Sequence, residues 1–284
     1  MINFMKRNLL VFFKDKASVF FSLLSVFIII GMYALFLGDV WTSGMTEITG
    51  ARFLMDSWIV AGLLAVTSVT TTMGAFGTMV EDQSKKLIKD IRSSPLPRVS
   101  IAGGYILSAF VIGVIMCLVA LVLCELYIVS GGGSLLGGQA LLKVLGLILL
   151  STFSNTALVL FFVSFFQSNN AFSVASTIIG TVIGFMTGIY IPIGQLPEGV
   201  QWVIKLFPPS HSAMLLRQVV MEQPLTQSFA GVPDQYLTEF KELMGVTFKI
   251  GDTVVTPTLS VVILIASGIL FLGLSILNLS RKKR

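Results

Sequence analysis

Six runs of roughly 20 or more mostly apolar residues punctuate this chain, and each is long enough to cross about 30 Å of hydrocarbon as a helix. They cover about 17–37, 58–80, 101–129, 140–166, 171–191 and 259–279. Backbone in lipid must satisfy its own hydrogen bonds, so such runs fold as helices. Charge agrees: 12% of the 284 residues are charged and mean hydropathy is +0.91, whereas a soluble domain carries about 25% charge. The expected fold is an all-α polytopic membrane protein with six transmembrane helices, an amino-terminal interfacial helix and short outer re-entrant helices between the fifth and sixth spans.

Lysine and arginine set the orientation. Thirteen of nineteen fall in three segments on one side of an even-numbered topology: Lys6, Arg7, Lys14 and Lys16; Lys85, Lys86, Lys89, Arg92 and Arg98; and Arg281, Lys282, Lys283 and Arg284. The positive-inside bias then puts both termini in the cytoplasm of a plasma-membrane protein. The first apolar run is about 20 residues long with no small-x-small cleavage site after it, so it reads as a retained span. The pI of 9.3 does not imply nucleic acid, because the basic clusters flank spans. Residues 1–16 alternate Ile2, Phe4, Met5, Leu9, Leu10, Phe12 and Phe13 with basic residues, the pattern of an interfacial amphipathic helix. Residues 17–284 form a single six-span domain, with a cytoplasmic segment at 81–98 and an extracellular one at 192–258.

Two connecting segments carry more than loop character. In 81–98, Leu87, Ile88 and Ile91 recur at helical spacing among charges before Pro95 and Pro97, which predicts a short amphipathic helix. In the outer segment, Pro192 and Pro197 break the fifth span, an apolar helical pattern resumes over 200–207, and Pro208 and Pro209 break it again before an amphipathic piece at 212–220. The polar stretch 226–258 is expected to contain a hairpin around 245–251.

Catalytic constellations are missing. The chain has no G-x-S-x-G, no H-E-x-x-H, a single histidine (His211), and two cysteines seven apart, Cys117 and Cys124. On one helix these lie about 10 Å apart, too far for a disulfide, and no ligand spacing points to a metal. The string Leu135-Leu-Gly-Gly-Gln139 imitates an ATPase signature, but no phosphate loop accompanies it. Polar residues gather at mid-depth in the second and fourth runs. Thr70, Thr71, Ser151 and Asn155, with the G-x-x-x-G steps Gly180, Gly184 and Gly188, are candidates for a pathway or a helix interface. Serine and threonine also bond back to their own helix, which leaves the alternative open.

The order of these features resembles the permease subunit of type-2 ABC exporters. The resemblance rests on the basic amino-terminal helix, the six runs, the loop closing in Ser94-Pro95-Leu-Pro97-Arg98, and the late block Gly188-Ile-Tyr-Ile-Pro192, Leu196-Pro197, Phe207-Pro208-Pro209 and Leu216-Arg217. It implies an amphipathic or hydrophobic substrate (drug, antibiotic, peptide or lipid-like) moved out by a complex with a second permease copy or paralogue and a separate ABC ATPase that binds ATP and Mg; this chain itself would bind no cofactor and catalyse nothing. It further implies coupling through Glu81, Asp82, Leu87, Ile88, Lys89, Asp90, Ile91, Pro95 and Arg98, and an outer gate at Pro192, Pro197, Pro208, Pro209 and Arg217. A secondary transporter or channel is the competing class; it usually carries ionisable residues within its spans, where the sequence offers Glu125 and Lys143 near span ends. A membrane receptor or scaffold is the third.

Overall fold

The computed structural model describes residues 1–38, 43, 48–87 and 97–281. Its helices are α1 (Ile2–Lys14), α2 (Lys16–Ser22), α3 (Leu24–Met32, continuing as a π-helical turn Tyr33–Leu37), α4 (Ala51–Ser84), α5 (Arg98–Ser130), α6 (Gly138–Val163), α7 (Asn169–Met186), α8 (Glu198–Leu206), α9 (Pro208–Val220), α10 (Glu222–Ser228), α11 (Asp234–Leu243) and α12 (Pro257–Arg281). Five of them, α4, α5, α6, α7 and α12, are long and apolar enough to cross a membrane; α2 and α3 make a sixth candidate if the pair counts as one span.

That pair is bent by 41°, where the apolar run at 17–37 reads as one helix. At the break the Ser22 hydroxyl donates to the Val19 carbonyl at 2.8 Å, and Leu23 sits at φ −97°, ψ −1°. Side-chain bonding back to a helix carbonyl competes with the ladder and bends it.

The architecture is arranged around α4. Its most apolar stretch is 89% buried, against 11% for α7, and it packs on α5, α6, α7 and α9. A Cβ at Gly113 of α5 would stand 2.7 Å from the methyls of Thr72 and Thr152, so this glycine lets α4, α5 and α6 close at mid-depth. At 34 residues α4 also outruns the apolar run at 58–80 and takes in Asp56 and Asp82. Hydropathy marks only the stretch that lipid demands be apolar; the helix continues through polar turns where side chains find partners. At the other extreme, α7 stops at Met186 and Gly188 adopts φ +67° beyond it. The Gly184–Gly188 step therefore does not lie on one helix face, since a left-handed glycine ends a helix.

Between α7 and α12 the helices start where the prolines predict: Pro197 precedes α8, and Pro208 and Pro209 occupy the first turn of α9, where a missing N–H costs nothing. α9 then packs against α4, α6 and α12, almost wholly buried. The one departure from an all-α chain among the described residues is an antiparallel hairpin, β1 (Lys249–Ile250) with β2 (Thr253–Val254), paired Lys249↔Val254 and Ile250↔Thr253. It turns at Gly251, φ +60°, while Gly245, φ +66°, follows the end of α11. The hairpin thus falls a few residues later than the glycines suggest.

Candidate functional site

An open-sided cavity of about 980 Å³ lies between α2–α3, α4 and α7. Its wall mixes Phe12, Phe21, Ile28, Met73 and Phe172 with hydroxyls from Ser22, Ser25, Thr70, Ser173, Ser176 and Thr177. Spacing by three and four puts the α7 hydroxyls on one face. Ser176 donates to the Phe172 carbonyl at 2.8 Å and Thr177 to Ser173 at 3.1 Å. Ser176 and Thr177 are satisfied within α7 and still offer lone pairs to the cavity, whereas the buried Ser25 hydroxyl finds no partner among the described residues, so the wall is mildly polar. A smaller cavity of about 330 Å³ continues toward the α1 end, sharing Phe12, Ser18 and Phe172 and adding Asp15 and Glu81. Asp15 caps α2, accepting from the Ser18 hydroxyl at 2.6 Å and the Ala17 N–H at 3.1 Å. The Ser18 bond holds its carboxyl below the usual pKa.

Of the polar and glycine candidates, Thr70 and Gly180 line the large cavity. Thr71 and Ser151 are buried and bond to the Thr67 and Ile148 carbonyls at 2.6 and 3.2 Å. Asn155, fully buried, ties α6 to α4 by donating to the Ser68 hydroxyl at 2.6 Å. Gly184 is buried beneath the Tyr190 ring.

The α1 end holds what the structure describes of the 81–98 segment. Glu81 and Lys85 form an exposed i,i+4 pair at 2.5 Å, and Leu87 is exposed. Ile88, Lys89, Asp90, Ile91 and Pro95 lie outside the described residues, and Arg98 opens α5 directly after Pro97. Asp82, one of the expected coupling residues, does not face solvent. It is 3% exposed and points into the bundle, where Arg7 of α1 grips both its oxygens at 2.5 and 2.9 Å and the Tyr105 hydroxyl of α5 donates at 2.6 Å. The Asp82 hydrogen bond holds the Arg7 guanidinium above its usual pKa. Asn8 adds a buried bond to Ser108 at 3.3 Å, and Phe4 meets Tyr105 edge-on with ring centres 5.0 Å apart.

A matching cluster stands at the opposite end of the same two helices. Asp56 of α4, 1% exposed, accepts from Arg52 Nε at 3.0 Å and from the Tyr127 hydroxyl of α5 at 2.8 Å. Sequence reading used Arg7 only as one of the basic residues that set the orientation, and gave no role to Arg52, Asp56, Tyr105 or Tyr127. The i,i+4 spacing of Arg52 and Asp56 was a usable signal; Arg7 and Asp82 are 75 residues apart, and nothing local connects them.

Among the expected gate residues, Pro192 leads into a 3₁₀ turn at Ile193–Gln195, and Arg217 is the best defined. Its guanidinium is fully buried, lies 4.8 Å from the Trp58 ring centre, and donates through Nη2 to the Gly188 carbonyl at 3.1 Å. Nε and Nη1 find no acceptor among the described residues. Added Cβ atoms at Gly62 and Gly245 would come within 3.1 and 3.2 Å of it, so these glycines make its room. Burial pushes its pKa down to about 9, which leaves it charged at neutral pH. Nearby, His211 joins α9 to α12 through Ser260 at 3.0 Å and reaches the Lys205 carbonyl at 2.9 Å. Burial lowers its pKa, opposed by the Lys205 bond.

Fold and site together define a multi-pass membrane protein whose helices flank a hydroxyl-walled cavity. Residues 46–277 match the family model described as ABC-2 family transporter protein, and the chain belongs to that family. It is a transport membrane subunit of the permease type, a kind that works with an ABC ATPase subunit. No curated protein sequence matches the chain closely enough to count as a relative.

Proposed function

We propose that this chain is the permease of an ATP-driven exporter, that two copies or a paralogue pair complete the path, and that both termini are cytoplasmic. The observation that carries the reading is the 980 Å³ cavity, open along the little-buried α7. A single copy leaves this wall of hydroxyls and aromatic rings half enclosed, as one side of a translocation path. Thr70 and Gly180 line it; Thr71, Ser151 and Asn155 serve packing between helices. The mixed wall suits an amphipathic or hydrophobic substrate better than a long sugar. The segment 81–98 transmits ATPase closure, and α8 and α9, with Arg217 between α4 and the Gly188 turn, form the outer gate; α9 reads as the re-entrant element.

Reconstitution of the permease with its ATPase in proteoliposomes, screened with amphipathic dyes and peptides, tests this. Dye efflux that requires ATP, and that Thr70→Trp and Gly180→Trp block by filling the cavity, is the expected result. Flux driven by an ion gradient without the ATPase would establish the secondary-transporter class instead.

A further inference from the structure

The two Asp–Tyr–Arg clusters share a construction. Both aspartates belong to α4 and both tyrosines to α5; these helices run antiparallel, so Asp56 meets Tyr127 at one end and Asp82 meets Tyr105 at the other. Along its helix each pair is well separated: at 1.5 Å per residue the aspartates lie about 39 Å apart and the tyrosines about 33 Å. A bilayer measures roughly 40–45 Å with its headgroup regions, which puts one cluster near each interface. Both carboxylates are buried and each receives donors from two side chains. Charge-assisted bonds of this kind are the strong ones, and breaking one leaves a buried charge short of partners. Between the clusters, Gly113 brings α5 against Thr72 at mid-depth. α7, by contrast, packs on α4 beside the cavity with no such charged tie among the described residues.

From this geometry we infer that Asp56 and Asp82 are positioning residues that latch α4 and α5 into one rigid lever, carrying movement at the α1 end of the pair to the opposite face. Arg7 extends the lower latch to α1, so the amino-terminal helix rides with the lever. Opening then occurs at the seam between the lever and α7, where the cavity lies, and not between α4 and α5. The inference rests on the ATP-driven reading for the origin of the movement, but the latches themselves stand without it.

Spin-label distances in nanodiscs, with the permease alone and in complex with its ATPase, test it. One pair spans α4–α5 at the α1 end (Ser84 and Val99), and another spans α5–α7 at each end (Val99 with Val174, Ser130 with Val182), all on exposed positions. In the unsubstituted latches, ATP with vanadate should shift both α5–α7 pairs while leaving Ser84–Val99 narrow and unmoved. In Asp56→Asn with Asp82→Asn, the shift at the α1 end should persist while that at the far end falls to about half or less, because a buried cluster missing a charge no longer holds register. A merely structural role would lose both shifts or neither. The exchange Arg7→Asp with Asp82→Arg should restore part of the lost shift. A Ser84–Val99 shift as large as the α5–α7 shifts overturns the lever. If nucleotide moves no pair, the ATP-driven reading fails and the latches are judged without it: broadening of Ser84–Val99 in Asp82→Asn upholds them, and an unchanged width overturns them. Should Asp82→Asn not assemble, Tyr105→Phe with Tyr127→Phe, which removes one bond from each latch, decides by the same distances.

Discussion

Arg217 is a buried guanidinium that meets no carboxylate among the described residues; it bonds the Gly188 carbonyl, lies by the Trp58 ring and interacts electrostatically with Tyr33. Two N–H-bearing nitrogens without acceptors make it a reservoir of unfavourable energy, since uncompensated buried charge is costly and an apolar side chain of similar volume is often as stable or more so. Arg217→Met should therefore leave the thermal midpoint of the purified protein unchanged or raise it by a few degrees, while ATP-driven transport falls. A midpoint lowered as far as that of Arg217→Ala would assign the residue to stability alone. His211 gives the pH counterpart. Its folded pKa is depressed by burial below the usual value of 6.5, so the unfolded chain takes up the proton first. Its contribution to stability is full above pH 6.5 and is lost as pH falls below 6.5 through the folded value. Thermal midpoints between pH 7.5 and 5.5 should decline in the native sequence and decline less in His211→Asn.

Pairs of helices owe their alignment to single polar bonds set in apolar surroundings. Asn155 and Ser68 join α6 to α4, and such bonds within a membrane average about 0.6 kcal/mol, with an upper end near 2. Asn155→Ala should cost that much in denaturant titrations and leave dye selectivity alone; altered selectivity would move Asn155 into the path. In the proposed complex the coupling segment 81–98 would make the opposite kind of contact, seating Leu87, Ile88 and Ile91 in the ATPase. Burying one leucine or isoleucine is worth roughly 1.5–3 kcal/mol, so Ile88→Asp with Ile91→Asp should weaken ATPase docking about a hundredfold or more, read as loss of co-purification. Lys85→Glu, in the exposed pair with Glu81, should change docking by no more than a few-fold, because exposed pairs are worth about 0–1 kcal/mol.

The whole molecule is a bundle around α4, and its orientation is open to direct measurement. An impermeant maleimide should fail to label a cysteine at position 86 in intact cells and should label one at position 234; the reverse pattern would invert the bundle and every assignment of face. The place of five apolar helices, the proline breaks between the fifth and sixth apolar runs and the family itself were legible in the sequence, because lipid imposes a composition on each span and prolines stop helices wherever they stand. Those are local rules, and each acts within about 20 consecutive residues. The bend at Leu23, the inward turn of Asp82, the matched clusters at the two ends of α4 and α5, and the burial of Arg217 under Trp58 were not legible. They depend on which helix lies beside which, and polar side chains far apart in the chain choose partners only after the helices have packed. The membrane requirement thus determined where apolar helices lie from sequence alone, whereas only the tertiary structure decided which buried charges pair, because an unpaired buried charge is costly and only packing supplies a partner.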